Sequence, residues 1–516
     1  MANPPMPASV PPPVFAIKGY KVTGDNPLGD AETQSILAPY VRNDATIETL
    51  QAAATALEKA LRDRGYGLHR VALPPQEVGQ AVQLNIVKFT IGRVQIDGRK
   101  IYSEANVRHT LPELREGGTP NFSRLAVQTA IANENPNKQV QVGLKESDEL
   151  DKIDATIAVK EQKPWNIGVG LSNAGTANTG RDRFTVTASH SNLWDLDHQF
   201  TGAYTTSLQR PGDVKQLGLS YKVPLYGLGS VVAVNATKSD VVGNFGTFNS
   251  TGAGHTIGAS YIWYLAPQGG RRSYVSFGID DKLFKGTEIN GVVIGNDRRS
   301  VPVSVGYTAR TETDKYVFGY DATLSMNTGL GSNDNLASYA GDPAQGITGE
   351  DSRITTVHFK VLRGDVSYLA PLAKDWLVNA RGSWQYSPDV LISGEQFGLG
   401  GLGSVRGTDI DRPITGDSGV SATFELTTPE YVMPGLRFAG FVDGGILWNE
   451  KPNGTNRPSS DHLASTGVGL RYAKDAFALS ADYAYVLVGS RVDPAFNSAA
   501  PKKGGHRFYV SALVRF

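Results

Sequence analysis

The chain has 516 residues, no cysteine, and equal numbers of basic and acidic side chains, 50 of each. Disulfides, thiolate metal sites and a cysteine nucleophile are excluded, and the balanced charge argues against a nucleic-acid binder. No stretch approaches the roughly 20 apolar residues a helix needs to cross a bilayer, so any membrane crossing is made by strands.

Residues 1–13 carry six prolines and no periodic pattern, and read as an extended lead-in. The start of the chain lacks the basic stretch and apolar core of a secretory signal, which fits a mature chain with a replacement Met1.

From Val14 to residue 162, one order of elements runs twice with a period of about 75 residues. In the first copy, residues 14–89, Phe15 to Val22 reads as extended. A turn with Gly24, Asn26 and Pro27 and a pair of helices follow. Thr46 is the expected N-cap of the second helix, where Ile47, Leu50, Ala54, Leu57 and Leu61 recur at helical spacing until Gly65. Leu68 to Leu73 and Ala81 to Val87 read as strands, the latter from the alternation of Val82, Leu84 and Ile86.

The second copy, residues 90–162, begins with Ile91 to Gly98. Helices at Glu104 to Leu111 and Asn121 to Asn133 follow, then strands at Gln139 to Leu144 and Ile153 to Val159. A small sheet of this kind keeps an open edge, a docking site for an extended peptide.

After Trp165 the helical period gives way to dyad alternation in segments of about ten residues, separated by Gly, Asn and Asp turns, as in a transmembrane barrel. Arg183 to Ser189, Val301 to Tyr307 and Phe477 to Tyr485 are examples, and about sixteen such segments fit residues 163–516. Phe508, Val510, Ala512, Val514 and Phe516 share one face of the last segment.

One loop differs from the rest. Phe397 to Thr408 holds five glycines around a single cation, Arg406. Further on, Gly440 to Gly445 places Phe441 and Asp443 on the lumen face if Phe438, Gly440 and Val442 face lipid. An arginine on an inward loop would then reach that carboxylate.

Other motifs point to chemistry only by spelling. Gly398, Gly400 and Gly403 match a dinucleotide fingerprint but lack the strand before and helix after that would cradle a phosphate. Gly416 to Gly419 resembles a serine-protease nucleophile segment, yet reads as a loop turning into a strand. The eight histidines show no zinc spacing, and Asp409 and Asp411 read as solvated loop residues. No enzyme, cofactor or metal is expected, and no nucleic acid.

These features resemble the two-partner secretion transporters, the TpsB family, across nearly the whole chain. Val405, Arg406 and Gly407 match that family's loop tip, with Thr408 in place of the usual aromatic. Phe441, Asp443 and Gly445 match its inward strand motif. Val71 to Val78, Asn133 to Pro136, Lys163 to Trp165 and Asn173 to Gly175 resemble further family segments, while the charged stretch Lys145 to Lys152 departs from a usual Pro-Gly turn.

The resemblance implies two α+β POTRA domains before a 16-stranded antiparallel transmembrane β-barrel, with a sixth extracellular loop, residues 388–417, folded inward. It implies an Arg406–Asp443 ion pair acting as a latch. The protein would sit in the bacterial outer membrane, with its POTRA domains in the periplasm and its barrel in the lipid bilayer. Barrel assembly machinery would insert it, guided by the terminal strand with Phe508, Val510, Val514 and Phe516.

The partner would be an exoprotein with an N-terminal secretion domain: a β-helical adhesin, cytolysin or contact-dependent inhibition toxin. An assembly factor for other barrels usually has three or more POTRA domains, and a passive porin has no use for the repeats or the Arg406 loop.

Overall fold

The computed structural model describes residues 13–77, 81–289, 292–294, 296–454 and 457–516. All of the proline-rich lead-in except Pro13, and Val78 of the Val71 to Val78 segment, fall outside the described residues. Contacts divide the chain after Gln162 into two compact units.

In the first unit the order strand, helix, helix, strand, strand occurs twice. The first repeat is β1 (Gly19–Gly24), α1 (Asp30–Leu37), α2 (Ile47–Asp63), β2 (His69–Ala72) and β3 (Ala81–Lys88). The second is β4 (Thr90–Asp97), α3 (Glu104–Thr110), α4 (Phe122–Ala132), β5 (Lys138–Glu146) and β6 (Lys152–Glu161). Each sheet is three strands with the last at its centre, ordered β1-β3-β2 and β4-β6-β5.

Residue spacing explains α2. Leu50, Ala53, Leu57 and Leu61 line one face and are fully buried against Val82, Leu84 and Ile86 of β3. Thr46 is its N-cap, and the Thr46 amide donates to Thr49 Oγ1 at 3.1 Å. Beyond its end, Gly65 has a φ of 90°, and a Cβ there would stand 2.3 Å from Asn121 Oδ1. That close approach lets Asn121, the N-cap of α4, donate to Arg64 O at 3.0 Å, so the two repeats interlock.

Two sequence expectations need correction. The strand expected from Phe15 starts only at Gly19, because Phe15 exchanges both backbone hydrogen bonds with Ala45 ahead of α2. The strands expected at Gln139 to Leu144 and Ile153 to Val159 reach further into the charged stretch: β5 runs through Glu146, β6 begins at Lys152, and Asp151 turns the chain with a φ of 56°.

The second unit is a closed antiparallel barrel of sixteen strands. In order they are β7 (Trp165–Ser172), β8 (Arg183–Leu193), β9 (His198–Thr206), β10 (Lys215–Leu225), β11 (Ser230–Ser239), β12 (Gly254–Tyr264), β13 (Arg271–Phe284) and β14 (Pro302–Glu312). Then follow β15 (Val317–Asn327), β16 (Lys360–Pro371), β17 (Leu377–Tyr386), β18 (Ser418–Thr427), β19 (Leu436–Trp448), β20 (Ser460–Lys474), β21 (Phe477–Val488) and β22 (His506–Arg515). A short segment, Arg298–Ser300, extends the pairing of β14 on β13.

Closure comes from β22 on β7, in register from Ser511 opposite Ser172 to Arg515 opposite Gly168. Asn173 extends this seam. Its Nδ2 donates to Phe508 O at 2.8 Å, and its Oδ1 accepts from the Val510 amide at 2.8 Å.

Dyad alternation decides which side chains face inward. On β19, Val442 is 55% exposed and Asp443 is 0% exposed. Phe508 lies on the exposed face of β22, Phe516 is exposed just past its end, and Arg507 and Tyr509 are on the buried face. The turns at one end are short, and the loops at the other include residues 328–359, 387–417 and 489–505.

Candidate functional site

The segment between β17 and β18 carries a small hairpin, Phe397–Leu399 paired with Ile414–Gly416. Its tip turns through Gly400 and Gly401 with φ of 101° and 94°. Leu399, Ile414 and Val405 are buried with Leu447, Leu463 and Val486 of β19, β20 and β21, which seats the tip against the wall by apolar burial.

Arg406 is fixed at that tip. Its Nε donates to Asp443 Oδ2 at 2.8 Å and its Nη2 to Asp443 Oδ1 at 2.8 Å, a two-point pairing of planar groups. Its own amide adds a bond to Oδ2 at 3.1 Å. Nη1 reaches Glu425 Oε2 on β18 at 3.2 Å and stands 3.8 Å from Asp482 on β21. Arg471 on β20 joins the same two acids, at 3.0 Å and 2.8 Å. Three carboxylates thus surround two guanidinium groups, and the ring of Phe441 covers the Arg406 guanidinium.

Gly407 and Thr408 complete the tip. The Gly407 amide donates to Tyr509 Oη at 3.1 Å, and that hydroxyl donates to Thr408 O at 2.8 Å. An aromatic ring is therefore present beside the tip, supplied by β22 while Thr408 holds the loop position. Gly445 is small for a reason: a Cβ there would stand 2.4 Å from Leu399 Cδ2.

All six loop and strand residues singled out in the sequence thus meet, with Gly445 seating the hairpin stem. The terminal-strand residues Phe508, Val510 and Val514 lie apart, on the seam strand β22, with Phe516 directly after its end. Sequence reasoning missed Glu425, Arg471, Asp482 and Tyr509. A signal existed for Asp482, the one charge among the small inward residues of Phe477 to Tyr485.

The remaining motifs have structural employment. Asp417 accepts from the Leu391 and Glu450 amides, both at 2.9 Å, and Ser418 Oγ donates to Ser387 O at 3.2 Å. Gly398 and Gly400 belong to the hairpin, where Cβ atoms would meet Arg412 and Pro413. Asp409 pairs with Arg181 at 3.4 Å and Asp411 accepts from the Leu402 amide at 3.3 Å.

A closed sixteen-stranded barrel preceded by two such α+β repeats defines an outer-membrane barrel protein of the POTRA-bearing class. The family model described as "Haemolysin secretion/activation protein ShlB/FhaC/HecB" matches residues 151–472, and that of the "POTRA domain, ShlB-type" matches residues 15–88. The chain belongs to this family of outer-membrane transporters, which translocate a partner exoprotein and keep their POTRA domains in the periplasm.

Among its relatives, the outer membrane transporter CdiB of Escherichia coli is 23% identical over 452 residues, 85% of this chain and 74% of the relative. The heme/hemopexin transporter protein HuxB of Haemophilus influenzae is 24% identical over 501 residues, 94% of this chain and 84% of the relative. The solved structure of CdiB from Escherichia coli superposes with a TM-score of 0.74 at 20% identity, covering 100% of this chain and 93% of that one.

Proposed function

We propose that residues 14–89 and 90–162 are two POTRA domains that take up an unfolded exoprotein in the periplasm by adding its extended chain to a free sheet edge. Strands β1 and β2 in one repeat, and β4 and β5 in the other, are the edges that main-chain hydrogen bonding would use. The cargo then passes through the barrel when residues 388–417, folded into the lumen at rest, leave the wall. It is a β-helical exoprotein with an N-terminal secretion domain, of adhesin, cytolysin or contact-dependent inhibition type, as the likeness to CdiB suggests. Barrel assembly machinery places β22 and the rest of the barrel in the bilayer, where the exposed Phe508 and Phe516 face lipid. No covalent chemistry is required.

The observation that carries this reading is the pairing of Arg406 with both oxygens of Asp443. Burying a charge pair costs desolvation, so it is weak as a stabiliser, but losing one partner leaves the other uncompensated, at about 3–5 kcal/mol. Such an arrangement suits a latch with two states. The test is secretion of the exoprotein from cells carrying wild type, Arg406→Ala or Asp443→Ala at matched outer-membrane levels. Lost secretion from normally inserted barrels is expected, and unchanged secretion overturns the latch.

A further inference from the structure

A second buried ion cluster holds the same loop at its root. Glu395, just before the hairpin, is 3% exposed. Its Oε1 accepts from Lys282 Nζ on β13 at 3.0 Å and from Ser300 Oγ at 2.9 Å. Its Oε2 accepts from Arg363 Nη2 on β16 at 2.8 Å, and the same nitrogen donates to Glu395 O at 2.7 Å. Gln385 orients Arg363 by accepting from its Nε at 2.6 Å and binds Glu395 O at 3.0 Å. The cluster borders a cavity of about 510 Å³ that also reaches His255 and Arg412, so it stands beside open space between loop and wall.

We propose that Glu395 is a second latch, with polarity reversed: a loop carboxylate on wall cations, where the tip places a loop cation on wall carboxylates. This rests on the export reading above. The tip is bound to β18, β19 and β22, and the root to β13 and β16, so the hairpin is a strut fixed to two separate arcs of the barrel. Freeing Arg406 alone releases one end. Movement out of the passage requires the Glu395 end to let go as well, and the two restraints act on one conformational step, so their effects on opening multiply.

The test is channel recording of the full chain in planar lipid bilayers, with folding checked by the gel mobility of unboiled protein. Glu395→Gln and Lys282→Met each raise the open probability on the order of tenfold, the first by leaving Lys282 and Arg363 without their carboxylate and the second by leaving Arg363 alone to balance Glu395. Lys282→Arg, which keeps the charge, stays at the wild-type level. Glu395→Gln combined with Arg406→Ala opens more often than either alone. If Glu395→Gln and Lys282→Met record like wild type while Arg406→Ala opens, the root latch is overturned. Should Glu395→Gln fail to fold, Lys282→Met decides alone, and wild-type conductance from it overturns the proposal. Conductance needs no cargo, so absence of export from wild-type cells would overturn the export reading and leave these recordings to judge the latch.

Discussion

The guanidinium carbon of Arg406 lies 3.3 Å from the centroid of the Phe441 ring. The ring has room because Gly467 stands opposite it on β20, where a Cβ would come 2.3 Å from Phe441 Cζ. A cation over an aromatic face in a desolvated site contributes about 2 kcal/mol. Phe441→Leu keeps the apolar bulk and removes that face. It should lower the melting of the barrel, followed by gel mobility, and a double-mutant cycle with Arg406→Ala should show coupling of about 1–2 kcal/mol. Zero coupling would mean the ring is only filler.

Two glycines near the tip give a paired prediction. Gly407 has a φ of 105°, and a Cβ there would stand 2.9 Å from Val486 Cγ2. Gly445 would drive a Cβ into Leu399. Gly407→Ala and Gly445→Ala should therefore displace the hairpin and cut secretion severalfold while the barrel still inserts, since overpacking and a left-handed backbone each cost about 1–3 kcal/mol. Gly440→Ala, with nothing within 4 Å, should secrete normally. Equal secretion from all three would refute the steric argument.

The barrel was legible because alternation is a local property: Phe477 to Tyr485 shows its two faces without any partner strand. The helical stripe of α2 was legible for the same reason. Alternation put Asp443 on the lumen face and made a pairing with Arg406 conceivable, but the resemblance was needed to fold the loop inward, since 37 positions separate the two and nothing local says where a loop turns. Glu425 and Asp482 were hard to assign because each is the one charge on its strand, and Arg471 because it is one of three on β20, since an inward charge on a strand equally fits a wet lumen. Glu395 was hidden further, as its partners Lys282 and Arg363 come from strands that closure alone brings together.

The first repeat should lose stability as the medium becomes acidic. His69 is buried on β2 with its Nε2 3.5 Å from Asp25, and burial pushes the imidazole below its ordinary value despite that carboxylate. The hydrogen bond from Lys88 holds the Asp25 carboxyl below its own usual range. Above about pH 6.5 His69 is neutral both folded and unfolded. Below that value the unfolded chain takes up a proton that the folded one resists, so stability falls as pH drops toward the lowered folded value. Asp25 adds loss only below about pH 3.9, so His69 accounts for the decline between pH 7 and pH 5. Hydrogen exchange of the α2 amides, corrected for intrinsic rates, should show protection falling over that range, and His69→Leu should flatten it. An unaltered slope in the variant would place the titrating group elsewhere.

Thr408 tests why this tip does without its own aromatic. Its hydroxyl accepts from the Gly401 amide at 2.7 Å and donates to Ile410 O at 2.9 Å, tying the two sides of the tip together. Its carbonyl receives Tyr509 Oη, so the wall's ring grips the backbone on the other side. Thr408→Val keeps the shape and strands the buried Gly401 amide and the partly buried Ile410 carbonyl, at about 1–3 kcal/mol, while Thr408→Ser keeps both bonds. Tyr509→Phe removes the partner of the Gly407 amide and the shorter of two bonds to Thr408 O, leaving that from Arg507 Nη1 at 3.3 Å. Trypsin cleavage at Arg406 in folded barrels should therefore rise in Thr408→Val and in Tyr509→Phe, and stay at the wild-type level in Thr408→Ser. Cleavage that rises in the serine variant and stays at the wild-type level in the valine variant would show that the methyl group, and not the hydroxyl, holds the tip.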